Sequence, residues 1–271
     1  MRSHPEMFID REEELRFLKS AIVSRKSLLI SGLAGAGKTM LTLKALSEMP
    51  DALRNNCLYV SGMKGLQDLL QQIVHLLFDR DDAVLRARLR REGVSAATFK
   101  RWLQAQPSTR LRGALYQAAA EGEYWLFLDH LPPLTHAASR VVKELVRMRN
   151  TPVYLLAQGF TQPEIGHVTD IYWGPPHQLA IGALPGAAAR ELLEACIQRF
   201  GLSRLDLEDF RKEVLHFSDY LPGAIVKMCA LAAEPRYQYG SQIKTKLIHI
   251  DYLMNGHRLN PDGSLVERHH V

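Results

Sequence analysis

Residues 28–41 read LLISGLAGAGKTML, and no other stretch restricts the fold as strongly. The run Ser27–Ser31 is short, apolar and bounded by polar residues and glycine, as a strand buried on both faces requires. From Thr39 to Met49 the apolar positions Leu43 and Leu46 follow helical spacing. Gly32, Gly35 and Gly37 lie in the connection, where they allow backbone angles and close approaches that a Cβ would block. A flexible loop is thus fixed at the point where strand becomes helix. There the first free N–H groups of the helix and its positive dipole end face one point, which favours an anion.

The spacing Gly32, four residues, Gly37, Lys38, Thr39 is that of the phosphate-binding P-loop. In such a loop the backbone of Gly32, Ala34, Gly35, Ala36, Gly37, Lys38, Thr39 and Met40 wraps the phosphates of ATP or ADP. Lys38 reaches the β/γ oxygens, and the Thr39 hydroxyl serves Mg²⁺. A second acidic group must complete the metal shell. YWLFLDH at 124–130 supplies it: four apolar residues end in Asp129, about ninety positions after Lys38. Thr39 and Asp129 are therefore the predicted Mg²⁺ ligands, and Lys38 and Asp129 the first catalytic candidates.

Further strands are predicted at Cys57–Ser61, Trp125–Asp129, Val153–Ala157 and Leu179–Ile181, with amphipathic segments separating them. Strands alternating with helices predict a parallel sheet covered on both faces. The fold class expected is α/β, a parallel-sheet P-loop NTPase core followed by an all-helical C-terminal lid domain. Boundaries are predicted at 1–181 for the core, 182–256 for the lid and 257–271 for a loosely ordered tail. The lid helices are expected at Ala187–Gly201, Leu207–Phe217 and Pro222–Ala233. Within the core, Met63–Glu123 is helical throughout and too long for one crossover helix, so an insertion is expected there.

Composition narrows the setting. The chain has 271 residues, 46% hydrophobic, with a net charge of +5, which permits an acidic partner without requiring one. Cys57, Cys196 and Cys229 are far apart and form no Cys-x-x-Cys pair, so neither a disulfide framework nor a zinc site is indicated. The opening MRSHPEMFIDREEE is too charged for a signal peptide, and no apolar run approaches membrane-spanning length. A cytoplasmic protein without a membrane partner is expected.

With these motifs in place, the chain resembles the AAA+ superfamily, particularly its STAND and origin-recognition-like ATPases, over most of residues 7–235. MFIDREEELRFL at 7–18 is similar to the family's entry segment, which passes over the adenine; Ile9 is the implied contact, and Asp10 stands where glycine is usual. The same residues also suit a plain helix start capped by Asp10. LAIGALPGAAARELLEA at 179–195 is similar to the join between core and lid. YLPGAIVKM at 220–228 is similar to the lid stretch whose proline approaches the base, which implies nucleotide contact at Pro222 and a cationic sensor at Lys227; the glycine usual before that proline is absent.

The resemblance also implies a polar residue at the end of the strand after Asp129, where Gln158 closes VYLLAQ. An amide there can orient the attacking water. His130 occupies the position at which efficient ATPases of this architecture place a glutamate. An imidazole can accept a proton, yet slow hydrolysis, or ATP used as a conformational latch, fits the substitution better. Arg147 and Arg149 end a helix beginning near Ala137, where an arginine finger acting on a neighbouring subunit would lie; basic residues there also suit the helix dipole alone.

Residues 86–101 carry six basic residues against one acidic. Gly93 at a turn, Ser95 as a cap, and Lys100 and Arg101 on the next helix outline a helix-turn-helix-like pair, with Trp102 beside it. Double-stranded DNA is one partner this allows, beside a protein client and a second copy of the chain. A solvated helix pair is the plainer reading. Three roles remain open: an ATPase driving a client, a nucleotide-dependent DNA accessory, and a non-hydrolysing nucleotide-gated binding or signalling module.

Overall fold

The computed structural model describes residues 8–148, 150–171 and 177–255. The 257–271 tail and the finger candidate Arg149 lie outside the described residues.

In chain order the first half contains α1 (Glu12–Val23), β1 (Leu28–Gly32), α2 (Lys38–Ser47), α3 (Asp51–Asn55) and β2 (Cys57–Val60). Four helices follow: α4 (Leu66–Asp79), α5 (Ala83–Arg91), α6 (Ala96–Ala105) and α7 (Ser108–Glu121). Then come β3 (Trp125–Leu128), α8 (His136–Arg147), β4 (Val153–Gln158), α9 (Gln162–Ile165) and β5 (Gln178–Ala180). The C-terminal part holds α10 (Gly186–Arg199), α11 (Glu208–Phe217), α12 (Pro222–Ala232), a hairpin of β6 (Gln238–Tyr239) and β7 (Gln242–Ile243), and α13 (Thr245–Asn255).

The chain forms two compact units. One comprises Glu14–Gly32 and Ala45–Ala180; the other comprises the described parts of 1–13, Leu33–Lys44 and the chain from Ile181. The first unit carries a five-stranded sheet in the order β2-β3-β4-β1-β5, every pairing parallel. The α/β class is thus observed. Leu126, Phe127 and Leu128 are fully buried, as expected for a strand with both faces covered. The C-terminal part of α1 is tied to the sheet by two aromatic donors: the Trp125 indole N–H to the Ile22 carbonyl at 3.0 Å and the Tyr154 hydroxyl to the Ala21 carbonyl at 3.1 Å.

The stretch where a helical insertion is expected holds the four helices α4–α7. Leu69, Leu70, Ile73, Val74 and Leu77 are the buried stripe of α4, at helical spacing. Asp82 locks the bundle to the sheet: one carboxylate oxygen caps α5 by accepting the Leu85 N–H, and the other accepts the hydroxyl of Tyr124, which immediately precedes β3. Phe78 and Phe99 stack at 3.7 Å between centroids, holding α4 against α6.

The second unit has its own core, in which Leu192, Cys196, Phe210, Ile225, Met228 and Tyr237 are buried. The hairpin β6–β7 adds an antiparallel turn among helices read from sequence as uninterrupted. Asp10 does not cap α1. It has φ +52° and is separated from the helix by Arg11, whereas a capping residue is extended. All three cysteines are free and buried. Among the described residues no helix is long and apolar enough to cross a membrane.

Candidate nucleotide site

Because the sheet is parallel, all its strands end at one edge, and the sequence motifs lie at those ends. Gly32 closes β1, Asp129 follows β3, and Gln158 closes β4. Strand β4 lies between β1 and β3, and its register pairs Gln158 with Gly32. The Asp129 N–H still donates to the Val60 carbonyl at 2.8 Å, and the Gly159 N–H to the Gly32 carbonyl at 2.9 Å, so both positions are held by sheet bonding beyond the strands proper. The carboxyl edge of a parallel sheet is where ligands of such folds bind.

Asp129 is 2% exposed, and its carboxylate is oriented from two sides. One oxygen accepts the His130 N–H at 2.8 Å and the other the Tyr59 hydroxyl at 2.6 Å. Tyr59 is a site residue that the sequence motifs do not mark. It lies on β2, seventy positions away, and only the β2–β3 pairing brings it to the aspartate. Burial, and then the charge and hydrogen bond of Asp129, push the Tyr59 hydroxyl far above the ordinary tyrosine range, so it remains a donor. Replacing Tyr59 with phenylalanine is expected to cost about 1–2 kcal/mol, the penalty for a buried acceptor stripped of its donor. Urea unfolding of Tyr59→Phe beside wild type measures it; equal midpoints and slopes would show that the bond does not hold the carboxylate.

His130 has φ +50°, its side chain is mostly exposed, and its Nε2 lies 3.7 Å from the Asp129 carboxylate. Gln158 is exposed at its strand end.

The glycine loop belongs to the second unit. Gly35 and Gly37 have φ +80° and +98°, angles that side-chain-bearing residues rarely adopt. Ala34 is exposed, Ala36 is buried, and Thr39 and Met40 are half-buried at the start of α2. Lys38 is 9% exposed, with its ammonium donating to the Leu33 carbonyl at 2.9 Å. The positive-φ glycines leave the loop free of Cβ atoms where a phosphate nest needs space, and a threonine hydroxyl with a carboxylate is a hard-oxygen donor set suited to Mg²⁺. The residues present fit the group.

Within the same unit Pro222 opens α12, and a Cβ on Gly37 would meet its Cγ at 3.7 Å. Ile9 packs half-buried against that unit's core, and Arg11 donates to the Gly182 carbonyl at 2.5 Å. Lys227 lies over the Tyr252 ring at 5.3 Å, and partial burial lowers its pKa. At both positions where the family usually has glycine, this chain adopts a left-handed angle with a larger residue: Asp10 at φ +52° and Tyr220 at φ +60°. Glycine is the residue that adopts such angles most easily.

The basic segment divides in two. Arg88 pairs with Glu92 at 3.1 Å, Arg86 pairs with Asp81 and covers the Phe78 ring, and the Trp102 indole donates to Glu92 at 2.8 Å. Arg86, Arg88 and Trp102 are thus engaged by groups of the chain itself. Arg90, Arg91, Lys100 and Arg101 are exposed, with no acidic partner among the described residues. Burial alone would raise the Glu92 carboxyl, but Trp102, Arg88 and Arg110 outweigh it and hold it below 4.5. Its pairing therefore stabilises the fold fully above the unfolded pKa and fades as pH falls through the lower folded value. Glu92→Gln is expected to be less stable than wild type by about 0.5–1 kcal/mol at pH 7, allowing for solvent screening. Urea titrations of the two proteins should converge on acidification; a gap independent of pH would contradict the pairing. Arg147 ends α8 paired to Glu144 at 3.1 Å.

A parallel sheet with a glycine-rich loop after β1 and an aspartate after β3 defines a P-loop nucleotide-binding protein. A family model described as AAA ATPase domain matches residues 8–157, and the chain belongs to that family. Its fold is similar to that of the Walker-type ATPase of Pyrococcus abyssi, with TM-score 0.60 and 15% identity, covering 94% of this chain and 76% of that one. The Aeropyrum pernix Orc1 protein, solved in complex with DNA, has TM-score 0.60 and 14% identity over 92% of this chain and 66% of its own. Drosophila ORC bound to DNA has TM-score 0.53 and 13% identity over 93% and 62%. The resemblance to AAA+ ATPases is borne out by the family match, and the likeness to origin-recognition proteins at the level of fold.

Among curated proteins, the exodeoxyribonuclease 7 large subunit of Xanthomonas oryzae is 34% identical over 143 residues, 49% of this chain and 28% of that protein. Its Xylella fastidiosa counterpart is 32% identical over 122 residues, 42% and 26%. The chain spans about a quarter of the length of these relatives.

Proposed function

We propose that the protein binds ATP at the Gly32–Thr39 loop and hydrolyses it slowly, as a switch acting on a partner. The observation that carries this reading is the parallel register that brings Gly32, Asp129 and Gln158 to one sheet edge. Loop N–H groups and the Lys38 ammonium hold the phosphates, and the Gln158 amide orients the attacking water. Thr39 and Asp129 would supply oxygen donors for Mg²⁺, which when bound would neutralise charge on the phosphates. Tyr59 and the His130 N–H hold the Asp129 carboxylate in one orientation. His130 replaces the usual glutamate, and its Nε2 lies beside the aspartate rather than at a separate carboxylate, so weak activation of water is expected. Ile9, Pro222 and Lys227 are assigned to the base and lid side of the site, and the lid to residues 182–256. We assign the protein to the cytoplasm.

Steady-state ATP turnover, with bound nucleotide counted and Lys38→Ala as control, tests this. Slow turnover abolished by the substitution supports the switch. Stoichiometric retained nucleotide without turnover would replace it with the non-hydrolysing module.

A second reading, double-stranded DNA as the partner, is favoured by the exposed cations Arg90, Arg91, Lys100 and Arg101 at α5–α6. Two of the similar structures are of proteins bound to DNA. Removing these four charges should lower the salt slope of DNA binding by about 0.9 for each phosphate no longer neutralised. An unchanged slope would leave a protein client or a second copy as the partner.

A further inference from the structure

We infer that Gly223 is a positioning residue for the P-loop, clasping its outer face through the backbone. The inference rests on the nucleotide reading above for its consequence, but the clasp itself is a structural claim. The Gly223 N–H donates to the Gly35 carbonyl at 2.8 Å. The two backbones touch: a Cβ on Gly223 would stand 2.7 Å from Gly35 Cα and 3.0 Å from its oxygen. Both are main-chain atoms that cannot swing aside, so only glycine fits. Gly223 has no left-handed angle to explain its identity; the close approach does.

The first turn of α12 is built around this bond. Pro222 contributes no N–H, and the Ala224 and Ile225 N–H groups both donate to the Leu221 carbonyl, at 3.0 and 3.1 Å. Gly223 thus directs its amide outside the helix. Its approach is set by a tight turn in which Asp219 and Tyr220 have φ +48° and +60°. That turn is fixed on both sides, by Leu221 N–H to the Ser218 carbonyl at 2.9 Å and Leu184 N–H to the Tyr220 carbonyl at 3.0 Å. Such strain persists where its surroundings over-determine it.

The consequence follows from peptide planarity. With the Gly35 carbonyl held by Gly223, the 35–36 peptide plane is set, and its N–H is turned the other way, toward the Leu33 carbonyl at 3.2 Å. A loop ordered before binding loses less entropy when phosphates arrive. By linkage, nucleotide on the loop in turn biases the start of α12, so occupancy of the loop is communicated to that helix through one backbone bond.

The test compares Gly223→Ala with wild type and with Gly113→Ala, a helical glycine with nothing within 4 Å of its added Cβ. Hydrogen exchange is followed over 33–41 and 221–226, and affinity with a fluorescent ADP analogue. In wild type the Gly223 amide should be protected. In Gly223→Ala, exchange over 33–41 should rise and ADP affinity should fall roughly tenfold or more, although alanine favours helix. Gly113→Ala should leave both unchanged. An unprotected Gly223 amide in wild type, or unchanged exchange and affinity in Gly223→Ala, overturns the clasp. Raised exchange in a protein whose wild type binds no nucleotide supports the clasp and overturns the nucleotide reading instead.

Discussion

Replacing Lys38 with alanine is expected to weaken ATP binding by roughly a hundredfold and to abolish turnover. Lys38 is nearly buried, and its ammonium is within bonding distance of the loop's own Leu33 carbonyl. A cation so placed is screened little by water, and loss of one partner from a buried, hydrogen-bonded charge pair costs about 2–5 kcal/mol. About 3 kcal/mol corresponds to the hundredfold stated. Folding should survive, because the alanine retains helix propensity at the first residue of α2. Isothermal titration with ATP checks the affinity and circular dichroism the fold. Binding within a few-fold of wild type would mean that the loop does not engage phosphate through this residue.

The second large effect concerns Asp129. Asparagine keeps its shape and leaves an oxygen to accept one of the two bonds that hold the side chain, but removes the negative charge. Mg²⁺-dependent turnover is expected to fall by about 100- to 1000-fold, the range for removing one electrostatic stabiliser of developing charge. ATP affinity should change far less, because Lys38 and the loop N–H groups hold the phosphates. The two substitutions should therefore separate: Lys38→Ala removes binding, and Asp129→Asn removes chemistry from a protein that still binds. Single-turnover assays at saturating ATP resolve the difference. Asp129→Asn retaining wild-type turnover would exclude Asp129 from the metal site.

Much of the fold was legible in the sequence, and the reason is local. Buried parallel strands read as short apolar runs, and the four strands at 28–32, 57–60, 125–128 and 153–158 each lie within a residue or two of such a run. The α4 stripe has the helical period. The P-loop was legible because its spacing is a contiguous mechanical requirement. Asp10 misled because a capping residue and a left-handed residue look alike in sequence: aspartate suits both. The 86–101 segment was only partly legible, because charge in a sequence carries no record of its partners. Glu92 engages Arg88 and Trp102 together, and only the tertiary structure separates these from the exposed Arg90, Arg91, Lys100 and Arg101.

The sequence by itself determined the element types, the phosphate loop and the aspartate that follows the third strand, because each depends on neighbours within a few residues. Tertiary structure alone decided which side chains serve them. Tyr59 reaches Asp129 through strand pairing across seventy positions, and Gly223 reaches Gly35 from far along the chain. Neither partner has a residue type or spacing that advertises it. A tyrosine in a strand and a glycine in a helix acquire their roles only when the backbone brings a carboxylate or a carbonyl within hydrogen-bonding distance, and that distance is set by packing rather than by periodicity.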